Sequence, residues 1–269
     1  MNLESLLKNG FLIQEFVSTK FLIDAQDLVR SQFPCDPVKW HELSTSTEEH
    51  LLQVKNTLGA LIARRCIPNL IHDNKELYYS IFGPDFDVQR APHLRITRPE
   101  VEGDAVDWHR DTFYGNTVYE INLWFPLFPL GSSAGVRILP GSHITPSRHL
   151  RDHQDSNEFR KAVLKGSTAN QLGFVYAPKT DDALDTMDLE KTVLLSPDFG
   201  SFAMFFGCAI HKGQNKSEHT RISVDARIKN SYTPTNTKPG YYENISRGII
   251  TDVGQRFLTE DRGSHDRNC

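Results

Sequence analysis

Three widely spaced points of the chain constrain its fold most. His109-Arg110-Asp111 is a local triplet, His211 lies far beyond it, and Arg221 follows ten residues after His211. On an extended strand the side chains at i and i+2 point to one face, so His109 and Asp111 can reach one ion while Arg110 points away. His211 has to return beside them through tertiary structure. That return demands a closed or two-layered β architecture rather than a local loop site.

Two imidazoles and a carboxylate can hold one face of a metal and leave the opposite face open, the ligand set of non-haem Fe(II) oxygenases. The chain therefore reads as an enzyme. The triplet alone is weak evidence, because 11 histidines scattered among the aspartates of such a chain give about one H-x-D by chance. A second does occur, His153-Gln154-Asp155, in a polar run without strand-like alternation, and it reads as a decoy. The first has strand context. His93–Thr97 precedes it and Val118–Phe125 follows, both rich in β-branched and aromatic residues. Next come Gly135-Val136-Arg137-Ile138-Leu139-Pro140-Gly141-Ser142-His143 and then Gly200–Phe206, which leads into His211.

On these residues the chain resembles the phytanoyl-CoA-hydroxylase-like branch of the Fe(II)/2-oxoglutarate-dependent dioxygenases. The shared features are the H-x-D triplet, the Pro140-Gly141-Ser142-His143 turn, and the series His211, Asn215, Ser217, Arg221; the opening Asn9-Gly10-Phe11 also matches. One departure is Ser132-Ser133-Ala134-Gly135, where many members carry Asn-Gly ahead of the turn strand. The resemblance implies a double-stranded β-helix (jelly-roll, cupin-like) core, mainly β with flanking helices. It also implies Fe(II) on His109, Asp111 and His211, with 2-oxoglutarate as co-substrate. Halogenating relatives have Gly or Ala at the position of Asp111, so the retained carboxylate favours hydroxylation of an unactivated C–H bond, or another oxidation without halogen, with release of succinate and CO2.

The segment Arg221–Ile228 alternates polar and apolar, which places Arg221, Ser223, Asp225 and Arg227 on one face. An arginine fork binds a carboxylate bidentately and Ser223 adds a hydroxyl. In the light of the resemblance, this pair is expected to hold the distal carboxylate of the oxo acid. The alternative is an exposed amphipathic edge with its charges in water. Arg227 lies about 20 Å from Arg221 along a straight strand, too far to share one small carboxylate, and is expected to pair with Asp225 or reach substrate. Trp124, Asn122 and Arg95 are further candidates for the co-substrate pocket. Phe113, Tyr114, Asn116, Tyr241 and Tyr242 are candidates for substrate contact, and His143 reads as a structural hydrogen-bonding residue.

The length of 269 residues suits one domain with its own core. Two helices are expected in the N-terminal part, about Thr19–Gln32 and Thr47–Arg64, the second with Leu51, Leu52, Leu58 and Leu61 facing one way. They would cover one outer face of the sheet, and an insertion over 147–197 together with the polar segment from Pro234 onward would form the substrate mouth. Cysteines at 35, 66, 208 and 269 show no paired framework, which points to a reducing compartment. With no apolar run of membrane-spanning length and no signal-peptide layout, a cytoplasmic enzyme is expected. A net charge of −4 and a pI near 6.3 argue against nucleic acid as a partner. The expected partners are a small polar metabolite or natural-product intermediate and O2. An acyl-CoA substrate, a zinc hydrolase, a cupin-like oxygenase without an oxo acid and a plain binding protein are the alternatives.

Overall fold

The computed structural model describes residues 3–43, 46–101, 103–152, 179–237 and 239–253. In chain order the strands are β1 (Phe11–Glu15), β2 (Phe86–Gln89), β3 (His93–Thr97), β4 (Ile121–Pro126), β5 (Ala134–Ile138), β6 (Arg151–Asp152), β7 (Lys179–Thr180), β8 (Val193–Leu195), β9 (Ser201–Phe206), β10 (His211–Asn215), β11 (Arg221–Asn230) and β12 (Tyr242–Ser246). They pair antiparallel into a seven-stranded sheet of order β1-β9-β4-β11-β2-β12, with β3 also on β11, and a three-stranded sheet β10-β5-β8; β6 and β7 form a separate ribbon. This is the mainly antiparallel, helix-flanked jelly-roll architecture expected from the sequence.

The period of two in the sequence becomes two different interiors. Ile222, Val224, Ala226 and Ile228 of β11 join Leu94 and Ile96 of β3 and Leu123 and Phe125 of β4 in the larger apolar core. After the short helix α1 (Leu3–Asn9), the helices α2 (Lys20–Gln32) and α4 (Cys66–Asp73) supply its other side through Leu22, Ala25, Val29, Leu70 and Ile71. The opposite face of the same strands turns inward toward the small sheet, where Trp124, Val136, Ile138, Ala203 and Phe205 form a second, smaller apolar cluster. β11 is buried along both faces. Its charged residues therefore line an interior, and the exposed-edge alternative does not hold.

The helix α3 (Thr47–Ala63) starts where Ser46 and Glu49 form a reciprocal capping box. Its buried stripe differs from the expected one. His50, Thr57 and Leu61 are buried, while Leu51 and Leu52 are exposed, because 50, 57 and 61 recur at helical spacing with Val54 and Leu58 beside them, and 51 and 52 fall on the other side. Of the insertion over 147–197, residues 153–178 lie outside the described residues, as do the decoy His153-Gln154-Asp155 and Cys269.

The departure ahead of the turn strand has a local account. Ser133 sits at φ 65°, the left-handed region that Asn and Gly tolerate best. Two residues on, a Cβ on Gly135 would stand 2.2 Å from the main-chain oxygen of Leu195 on the paired strand β8. Backbone cannot yield as a side chain can. Gly135→Ala is expected to cost at least about 2 kcal/mol of folding stability, measured by urea unfolding against wild type.

Candidate metal centre

His109 and His211 meet through their backbones. His109 N donates to His211 O at 3.0 Å and His211 N to His109 O at 2.9 Å, an isolated antiparallel bridge that sets the two residues side by side. The imidazoles are oriented in the same way: Nδ1 of His109 lies 2.6 Å from Asp107 O and Nδ1 of His211 2.9 Å from Ala209 O. Each Nδ1–H is thereby occupied, and each Nε2 is free to face a shared point. Extension at Arg110 carries the chain from His109 to Asp111, which opens a short 3-10 turn, Asp111–Tyr114. Asp111 Oδ1 lies 3.4 Å from His109 Nε2 and 3.8 Å from His211 Nε2. One donor atom from each of the three residues falls within 4.8 Å of the others, so the triad found in sequence is one that can hold a metal ion.

Asp111 is fixed from behind. Its other oxygen, Oδ2, accepts from Asn122 Nδ2 at 2.6 Å and pairs with Arg227 Nη2 at 3.2 Å. Asn122 thus spends its amide on the metal-ligand carboxylate, and Arg227 pairs with Asp111 rather than with the expected Asp225. Burial alone would raise the pKa of Asp111, but Arg227, His109 and His211 outweigh it and hold the carboxyl well below its usual range. A Cβ at Gly207 would stand 3.3 Å from that of Asp111, so glycine there lets the main chain come close enough for Gly207 O to accept from Asp111 N at 2.7 Å.

The sequence elements around the triad are braces. In the Pro-Gly turn Ser142 Oγ donates to Leu139 O and accepts from Ile210 N, beside His211. His143 Nε2 lies 2.9 Å from Leu7 O and its ring stacks on Phe206, the structural role expected. Asn215 Nδ2 donates to Thr97 O and His219 O, and Ser217 Oγ donates to Asn215 Oδ1. The N-x-S element is therefore the turn that delivers Arg221 into β11.

Arg221 lies on an open pocket of about 420 Å³ that is also lined by His109, His211, Trp124, Arg95 and Asp225. Its guanidinium stands over the Trp124 ring at 5.6 Å and donates to Gly135 O, Gln214 O and Thr97 Oγ1. No carboxylate lies within 4 Å of it among the described residues. Burial, and next the charge of Arg95, pull its pKa down to about 9, so it remains a cation at neutral pH. A buried cation with only neutral partners is costly and suits an arriving carboxylate. Ser223, two residues on, has a fully buried hydroxyl with no partner among the described residues. Arg95 makes a long ion pair with Asp225, 3.7 Å.

Of the residues expected at the substrate, Tyr114 packs edge-on against the His109 ring. Phe113 is buried, and Asn116 donates to the buried carboxylate of Glu120. Tyr241 lies 3.5 Å from Arg227 Nη1, and Tyr242 sits under Lys229. Sequence reasoning missed the loop carrying Ala105 and Val106, which walls the pocket. It also missed the destination of Arg110. That side chain is 2% exposed, donates to Ser142 O and Cys208 O, and faces Asp181 at 3.5 Å.

The histidines make the metal-free protein sensitive to acid. Burial, and then His109, pull the pKa of His211 down to about 4 from 6.5. Burial, then Arg95 and Arg227, hold His93 well below its ordinary value. Between these folded values and 6.5 the unfolded chain binds more protons, so stability is full above about pH 6.5 and falls as pH drops toward 4. His211 alone accounts for roughly 3 kcal/mol across that window. Denaturant midpoints of the metal-free protein measured from pH 7 to 4.5 check this; a flat profile contradicts it.

A jelly roll with a facial two-histidine, one-carboxylate set beside an unpaired buried arginine defines a non-haem iron oxygenase. The phytanoyl-CoA dioxygenase (PhyH) family model matches residues 37–223, well over half of the chain, and the chain belongs to that family of iron and 2-oxoglutarate-dependent oxygenases. In fold it is similar to the apo form of ThoJ, a non-heme monooxygenase, with a TM-score of 0.56 and 16% identity over 98% of this chain and 94% of that one. It is also similar to EvdO2 from Micromonospora carbonacea var. aurantiaca complexed with 2-oxoglutarate, with a TM-score of 0.52 and 13% identity over 88% of this chain and 93% of that one. No curated protein sequence matches the chain. Among the described residues no helix is long and apolar enough to cross a membrane.

Proposed function

We propose that this chain, as one catalytic domain in the cytoplasm, hydroxylates an unactivated C–H bond of a small polar metabolite or natural-product intermediate. The reaction consumes O2 and 2-oxoglutarate and releases succinate and CO2. The observation that carries the reading is Arg221, a buried cation without a carboxylate partner among the described residues, in a pocket that also reaches His109 and His211. His109, Asp111 and His211 would hold Fe(II), Arg221 with Ser223 would take the distal carboxylate of the oxo acid, and Trp124 and Arg95 would flank it. The iron and oxo acid, when bound, supply the oxidising chemistry. The chain's own work is orientation and exclusion of water, with Trp124, Val136 and Phe205 as the apolar wall.

Anaerobic addition of Fe(II) and then 2-oxoglutarate to the metal-free protein tests this. The expected result is a weak visible charge-transfer band near about 500 nm, the mark of a keto acid chelated to iron with this ligand set. Succinate release then ranks candidate substrates. Iron binding without a band at saturating oxo acid sinks the co-substrate assignment.

A further inference from the structure

We propose that Arg227 is a positioning residue for the iron-ligand carboxylate: it restrains Asp111 to bind through Oδ1 alone and weakens it as an electron donor. The inference rests on the iron and 2-oxoglutarate reading above and goes beyond it. The two oxygens of Asp111 have different surroundings. Oδ1 faces Nε2 of both histidines, while Oδ2 receives Asn122 at 2.6 Å and Arg227 at 3.2 Å. Arg227 is itself braced: Nη1 donates to His93 Nε2 at 2.9 Å and lies 3.4 Å from Gln89 Oε1 and 3.5 Å from Tyr241 Oη. These partners are neutral, since His93 must accept from a guanidinium that can only donate. Asp111 is the one acid within 4 Å of Arg227 among the described residues, and both are buried.

The chemistry depends on counting positions. Three protein ligands and a chelating oxo acid would fill five positions of a six-coordinate ion and leave one for O2. A carboxylate that swung round to bind through both oxygens would take that last position. Asn122 alone offers Oδ2 one neutral hydrogen bond, whereas the guanidinium adds a charge-assisted one of roughly twice the strength. It also draws electron density from the carboxylate, in the way that groups behind a ligand tune the metal in front of it.

The charge-transfer band of the anaerobic Fe(II)–2-oxoglutarate complex reads out this donor strength. An electron passes from iron to oxo acid in that transition, so a more strongly donating Asp111 moves the band to longer wavelength. Arg227→Gln is expected to shift it in that direction, and Arg227→Lys, which keeps the charge, to hold it near the wild-type position. A purely structural role would leave the band of the folded Gln variant unmoved, and that result overturns the proposal. Wild type supplies a second test that needs no variant. Crystals grown with Mn(II) and 2-oxoglutarate should show Asp111 bound through Oδ1, with Oδ2 still paired to Arg227; binding through both oxygens, or Arg227 turned elsewhere, overturns it. A wild type that shows no band at all removes the co-substrate reading itself, which separates the two failures.

Discussion

Asp111→Ala is expected to abolish turnover, with a loss of at least about a thousandfold, and to destabilise the protein even before metal is added. The first effect follows from removing one of three ligands. The second follows from Arg227, whose nearest acid is Asp111 at 3.2 Å and whose remaining close partners, His93, Gln89 and Tyr241, carry no charge. Deleting one member of a buried pair leaves the other desolvated and unpaired, typically about 3–5 kcal/mol. His109→Ala is the control, since it also removes a ligand but strands no charge. Thermal melts of the two metal-free variants, alongside Co(II) binding by calorimetry, separate the contributions. Equal stability of the two variants would mean that Arg227 finds its compensation elsewhere.

Arg221→Gln is expected to raise the half-saturating concentration of 2-oxoglutarate by roughly thirtyfold to a thousandfold, about 2–4 kcal/mol, the usual loss when one partner of a buried charge pair is removed. Fe(II) affinity should stay near wild type, because Arg221 touches none of the three ligands; its hydrogen bonds go to Gly135, Gln214 and Thr97. Stability of the free protein should change little, since the wild type already carries this cation buried without a carboxylate. Millimolar oxo acid should then raise the melting temperature of the iron-loaded wild type through linkage and leave that of the variant almost unmoved. A variant that keeps wild-type affinity for the oxo acid would place the clamp elsewhere, with Arg95 the next cation on the pocket wall.

The triad able to hold a metal and the inward-facing polar residues of β11 were legible because their signal lies in short spacings: i and i+2 on extended chain, then alternation along β11. The surroundings of Asp111 were not. A ruler along one strand correctly separates Arg227 from Arg221, but it carries no information about which residue of another element lies opposite. Asn122 shows the same blind spot: its strand and inward face could be read, yet its partner comes from the turn after His109. Arg110 was expected only to point away, and its burial against Ser142, Cys208 and Asp181 depends on three segments meeting behind the site. In α3, counting leucines favoured Leu51 and Leu52, while the buried stripe includes a histidine and a threonine, His50 bonding to Trp40 and Thr57 to Gln53.

The reciprocal hydrogen bonds between His109 and His211 belong to the polypeptide alone. Main chain, rather than an ion, brings the imidazoles together, so folding exerts no choice among cations. Such a preassembled set will follow the general affinity order of divalent metals, in which Cu(II), Ni(II) and Zn(II) outcompete Fe(II). Which ion a given preparation carries is then decided by supply and history, and protein purified in air or on a nickel resin is expected to be folded, fully loaded and inert until it is stripped and refilled under reducing conditions.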